Sequence, residues 1–209
     1  LDMPSPLTHE PRPDTPEGTA AQNDYRGRAF LYILPASGPE DLLKVGMTHD
    51  PLARWSAFHP RWFEVFDLDH SLLVETETRS DAQGLETRLH RMLEAYSCPM
   101  PMTIRGQAGG ATEWYRGAYA AVRRFVNEQA VQGFVVHTNA MPWLKAAMLQ
   151  QQSRLDGLLR QAYADHTAGW LSPAQHRALQ DLIDAHRCMD PDVSAHLSAD
   201  ILDALGIEA

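Results

Sequence analysis

The sequence predicts an α+β protein: a short, mainly antiparallel sheet flanked by helices, followed by a C-terminal helical segment. Three observations carry this reading. Short β-prone runs recur near 28–34, 42–47 and 70–76, the first two close enough for a hairpin-like antiparallel pair. Apolar residues at helical spacing lie between and after them. Beyond about residue 131 the strand signals cease and helical periodicity takes over.

The first run, Arg28 to Leu34, is closed by Pro35 and the turn Ser37-Gly38-Pro39. The second spans Leu42 to Met47. Asp50-Pro51 reads as a helix N-cap with proline at the first helical position, and Leu52, Trp55 and Phe58 continue at helical spacing. A third strand is expected at His70–Thr76, then a strong helix capped by Ser80 or Asp81 and running through Leu85, Leu89 and Leu93 to Tyr96. A Pro- and Gly-rich loop covers 98–110, order restarts at Thr112-Glu113-Trp114-Tyr115, and a helix follows from about Tyr119 to Glu128. In the last third, 141–166 reads as one long helix. Ser172-Pro173-Ala174-Gln175 reads as a capping box opening another, and Ser198–Leu205 as a short helix stopped by Gly206.

This organisation gives three parts: a disordered tail or arm over 1–25, a compact domain over 26–131, and a helical extension over 132–209. The tail holds five prolines and little to bury. The net charge is −9, but its distribution is uneven. The middle part is near neutral, with twelve basic and thirteen acidic residues, whereas the extension has five basic against nine acidic. Nucleic-acid binding is therefore compatible with the middle part, although no dense basic stripe announces it. The acidic extension is a poor DNA-reading element. It suits packing on the preceding domain, or contact with a protein partner or a second copy.

No apolar run approaches the roughly 18 residues of a membrane span. The N-terminal residues lack the basic start and apolar stretch of a signal peptide. Cys98 and Cys188 lie far apart with no ligand-like spacing, so a reducing, cytoplasmic setting is the default expectation. A secreted nuclease effector is the alternative, hinted at only by the small layout.

The chemistry-bearing residues fall in a defined order. Phe30-Leu31-Tyr32 ends a strand, Lys44-Val45-Gly46 ends the next, and Arg54 lies eight residues on. Glu86 then sits one helical turn before His90, in Leu85-Glu86-Thr87-Arg88-Leu89-His90. This order and spacing resemble the GIY-YIG nucleases. The string Lys44-Val45-Gly46-Met47-Thr48, the Glu86-x-x-x-His90 pair and Glu113-Trp114-Tyr115 look like the phage-type branch, in which Lys stands where the second Tyr would be. The match covers about half the chain. The first motif here lacks its Gly, the second lacks its Tyr, and the family's loosely placed Tyr or His after the Arg is matched best by His59, with Phe58 as the other candidate.

The resemblance implies a metal-dependent endonuclease acting on DNA by a one-metal mechanism, RNA staying open as a substrate. Glu86 is expected to hold Mg²⁺ (or Mn²⁺), a hard ion that keeps most of its waters. Arg54 offers a planar fork to the scissile phosphate. Tyr32, Lys44 and His59 are the expected catalytic residues. Tyr32 orients or deprotonates water, and Lys44 does so only where burial or nearby cations depress its pKa. Thr48, Arg88 and His90 are expected substrate contacts. Glu113-Trp114-Tyr115 reads first as a packing element, with a role for Glu113 at the site as the second reading. Lys44 is one of only two lysines against sixteen arginines, which adds a modest independent hint. The rival from another class is a catalytically silent module of the same fold that binds DNA or protein.

Overall fold

The computed structural model describes residues 28–104 and 112–208. The expected tail over 1–25, and much of the expected 98–110 loop, lie outside the described residues.

Five antiparallel strands form one sheet in the order β4-β2-β1-β3-β5. They are β1 (Ala29–Pro35), β2 (Leu42–Thr48), β3 (Leu72–Thr76), β4 (Trp114–Arg116) and β5 (Val135–His137). The central hairpin places Tyr32 opposite Gly46 and Leu34 opposite Lys44. Side chains alternate across a strand, so Phe30, Tyr32 and Leu34 face one layer while Leu31 and Ile33 face the other. Both faces are covered, which explains why β1 reads as a nearly continuous apolar run.

One face packs against helices α3 (Arg79–Met92) and α4 (Tyr119–Val131) through Leu85, Leu89, Val122 and Phe125. The other packs against α1 (Pro51–Ser56) and α2 (Trp62–Val65), and further out against α5 (Met141–Gln150) and α7 (Pro173–Met189). Helices α6 (Gln152–Thr167) and α8 (Ala199–Ala204) join α7 in a second, smaller core around Leu159, Ile183 and Leu202. No helix among the described residues is long and apolar enough to cross a membrane.

The caps follow the sequence closely in two places. Asp50 accepts from the Ala53 amide at the start of α1, and Ser172 with Gln175 forms the full capping box of α7. Elsewhere the structure corrects the reading. Helix α3 is capped by Thr78, whose hydroxyl accepts from the Asp81 amide, rather than by Ser80 or Asp81 themselves. Asp81 is instead a first-turn carboxylate, well placed for the positive end of the helix. The long helix expected over 141–166 breaks at Gln151 into α5 and α6. The break lets α5 lie on the Phe30 side of the sheet while α6 packs in the second core.

Strand β5 lies beyond residue 131, yet it pairs with β3, with Val136 opposite Val74. Only three residues long and half-exposed, it carries too little apolar pattern to announce itself. The C-terminal helices are also tied to the sheet domain by charge. Arg61, before α2, donates to Asp181 at 2.9 Å and Asp184 at 3.0 Å on α7, while it also pairs with Glu64.

Candidate metal and phosphate site

The site lies on the β2–β4 side of the sheet, where strand ends, α1 and α3 meet. Tyr32 is 1% exposed and its ring lies over Gly46. A β-carbon built on Gly46 would stand 2.4 Å from the Tyr32 hydroxyl oxygen and 2.6 Å from Cζ. Glycine is thus required at this position by close approach and not by its backbone angles. Trp55 meets the Tyr32 ring edge-on at 6.0 Å and closes the pocket behind it.

Lys44 is completely buried, on the same face of β2 as Gly46. Its ammonium donates to the Thr112 carbonyl at 2.8 Å and to Glu113 Oε2 at 3.4 Å. Phe58 lies under two cations, with the Lys44 nitrogen 5.6 Å and the Arg54 guanidinium 5.0 Å from the ring centre. Phe58, rather than His59, is therefore the residue that follows Arg54 into the site.

Burial pushes the Lys44 ammonium below its ordinary value, against the pull of Glu113. Burial also pushes the Tyr32 phenol up to about 12; Glu113 and Glu86 add to the rise and Arg54 beside it opposes it. A phenol raised this far keeps its proton near neutrality, so it orients water better than it deprotonates it. Of the two expected water-preparing groups, Lys44 is the one whose environment favours the neutral base.

On α3, Glu86 and His90 stand one turn apart, and Glu113 at the entrance to β4 comes across to meet them. One donor atom from each lies within 4.8 Å of the others, close enough to share a metal ion. His90 Nε2 is 3.5 Å from Glu113 and 3.7 Å from Glu86, both long for a hydrogen bond, and it is buried with no hydrogen-bond partner. A ring nitrogen held only by two long ion pairs to carboxylates fits a divalent ion, which would bind in place of the ring proton. The other ring nitrogen, Nδ1, is 2.5 Å from the Tyr115 hydroxyl, and the two rings stack. Such a contact orients a ligating imidazole from behind. Burial opposes the charge on the His90 ring, but the Glu113 and Glu86 carboxylates outweigh it and raise its pKa to about 9. His90 in turn holds the Glu113 carboxyl below its ordinary value, with Lys44 adding to the effect.

Glu113 is the one non-glycine among the described residues with a positive φ, at 70°. The left-handed conformation is strained for a residue with a β-carbon. It is held from both sides: the Val45 amide donates to the Glu113 carbonyl, and Lys44 donates to the carbonyl before it. The twist turns the Glu113 side chain toward α3 while Trp114 enters the core, fully buried.

The structure thus gathers Tyr32, Lys44, Arg54, Glu86 and His90 from the expected set, takes the second readings of Glu113 and Phe58, and adds Tyr115. Three expected residues are engaged elsewhere. His59 accepts the Arg61 amide at 3.0 Å in the turn before α2. Thr48 exchanges hydrogen bonds with the Asp50 backbone and shapes the approach to α1. Arg88 lies over the Phe125 ring of α4 at 5.4 Å. Glu113 carried a legible signal, its place beside Trp114 in a short ordered restart, but its left-handed backbone is not readable from residue type.

No curated protein and no solved structure matches the chain. Residues 29–130, the stretch that contributes every member of this cluster, match the family model of the T5orf172 domain.

Proposed function

We propose that this protein is a metal-dependent endonuclease that hydrolyses phosphodiester bonds in DNA. The observation that carries the proposal is the convergence of three metal-ligand donors, Glu86, His90 and Glu113, with the buried cation Lys44 and its neighbours Arg54 and Tyr32. The T5orf172 match supports a DNA-related role, and the order of the motifs, similar to that of GIY-YIG nucleases, supports hydrolysis.

Glu86, His90 and Glu113 would hold a Mg²⁺- or Mn²⁺-like ion, which supplies positive charge to the phosphoryl oxygens and lowers the pKa of a bound water. Arg54 grips the scissile phosphate through its planar fork. Tyr32 donates its phenolic hydrogen bond and positions the attacking water. Lys44, whose ammonium burial makes easier to deprotonate, would accept the proton from that water in its neutral form. Phe58 beneath Lys44 and Arg54 excludes solvent and strengthens both interactions.

Plasmid nicking tests the proposal. Wild-type protein should nick supercoiled DNA with Mg²⁺ or Mn²⁺, and Glu86→Ala should abolish nicking while its circular dichroism spectrum stays unchanged. Folded wild-type protein that binds the ion and DNA yet cuts neither DNA nor RNA would support the silent binding module instead.

A further inference from the structure

A second concavity of about 320 Å³ lies between α1, the α5–α6 break and α7, walled in part by Trp62 and Leu155. Its size falls within the range of small-molecule sites. Five polar side chains line it: Asp50, Ser56, Gln151, Arg154 and His186, of which Ser56 already donates to the Ala53 carbonyl.

Two features mark it as more than a packing defect. His186 is only 4% exposed, and its side chain forms no hydrogen bond or ion pair among the described residues. Its ring nitrogens are not sealed off, so they face the water of the cavity, which an occupant offering a hydrogen bond replaces. Gln151, at the half-exposed break between two helices, brings a side-chain amide to the wall. The lining also balances in charge. Asp50 and Arg154 are its two charged groups, one acidic and one basic, and Asp50 already accepts the Ala53 amide.

We infer that this cavity binds an uncharged, planar heteroaromatic molecule of nucleobase or nucleoside size. The apolar walls suit a ring face. His186 and Gln151 each present both donor and acceptor capacity, which matches a ring edge bearing both. The balanced lining offers no net attraction to an anion. The inference is independent of the nuclease reading, since none of these residues belongs to the Glu86–His90–Glu113 cluster. One wall is nevertheless α1, the helix that carries Arg54.

Calorimetric titration of the full chain with adenosine, guanosine, cytidine and thymidine, beside adenosine 5′-monophosphate and benzoate as anionic probes, tests the inference. At least one nucleoside should bind saturably and more tightly than either anion. Gln151→Leu and His186→Leu should each weaken it roughly tenfold, the scale of one lost hydrogen bond. Amide chemical shifts should move at α1, α7 and the α5–α6 break. Because His186→Leu alters a buried position, Gln151→Leu at the half-exposed break is the variant whose fold is least disturbed. Failure of all four nucleosides to saturate up to their solubility limit would overturn the inference. So would tighter binding of an anion, or nucleoside binding unchanged in both variants.

Discussion

Replacing Gly46 by alanine adds one methyl group at the most crowded point of the candidate site. That carbon would stand 2.4 Å from the Tyr32 hydroxyl oxygen, 2.6 Å from Cζ and 3.0 Å from Cε1. Van der Waals contact between such atoms needs about 3.5 Å, so the ring must move by close to an ångström. It has little room, because Tyr32 is 1% exposed and Trp55 abuts its far side. Overpacking of this kind costs about 1–3 kcal/mol. For a chain of this size each kcal/mol lowers the melting temperature by roughly 2–4 °C, so a fall of about 2–12 °C is expected. Thermal and urea unfolding followed by circular dichroism measures it. The same substitution in a Tyr32→Leu background should cost much less, because the branched side chain ends short of the Gly46 position. A Gly46→Ala protein as stable as wild type, or an equal penalty in both backgrounds, would refute the ring-over-glycine account.

The remaining predictions concern charge and strain. Glu113→Gly relieves a left-handed backbone worth about 1–2 kcal/mol, so the fold should stay within about 1 kcal/mol of wild type. Mn²⁺ binding by calorimetry should nevertheless fall at least tenfold; unchanged affinity would remove Glu113 from the ligand set. Lys44→Met deletes a fully buried charge, so unfolding should show retained stability while nicking drops by about 10²-fold or more, the scale of a lost general base. Arg61→Ala breaks the links to Asp181 and Asp184 and should destabilise the chain by about 1 kcal/mol, given partial exposure. Burial holds the pKa of His186 below its ordinary value, so the unfolded chain binds a proton there before the folded chain does. Stability is then full above about pH 6.5, the unfolded value, and declines as the pH falls toward the folded pKa. His186→Leu should flatten that decline in urea titrations, and an unaltered pH profile would contradict it.

Local information settled much of this protein. Proline, glycine and capping residues announced where α1 and α7 begin, because caps depend on neighbours a few residues apart. The short apolar runs located β1, β2 and β3, and motif order brought Tyr32, Lys44, Arg54, Glu86 and His90 forward as a group. Strand β5 and helix α2 stayed hidden, since three or four residues are too few for a period to show and only packing selects their conformation. The α5–α6 break was equally invisible, because helical spacing runs through Gln151 and only the two cores require the turn there.

At the site the division is sharper. Motif order and the family resemblance, together with what phosphodiester hydrolysis needs, pointed to Glu86 and Arg54. Tertiary structure decided the rest: that Phe58 and not His59 lies under the cations, that Gly46 is small because Tyr32 covers it, and that Glu113 closes on His90 from across the fold. The reason is physical. Those contacts join residues far apart in the chain, and the pairing of β2 with β1 and β4 sets their distances. The Glu113 backbone angle that completes the cluster is a conformation its own side chain disfavours, imposed by Lys44 and Val45 on the neighbouring strand.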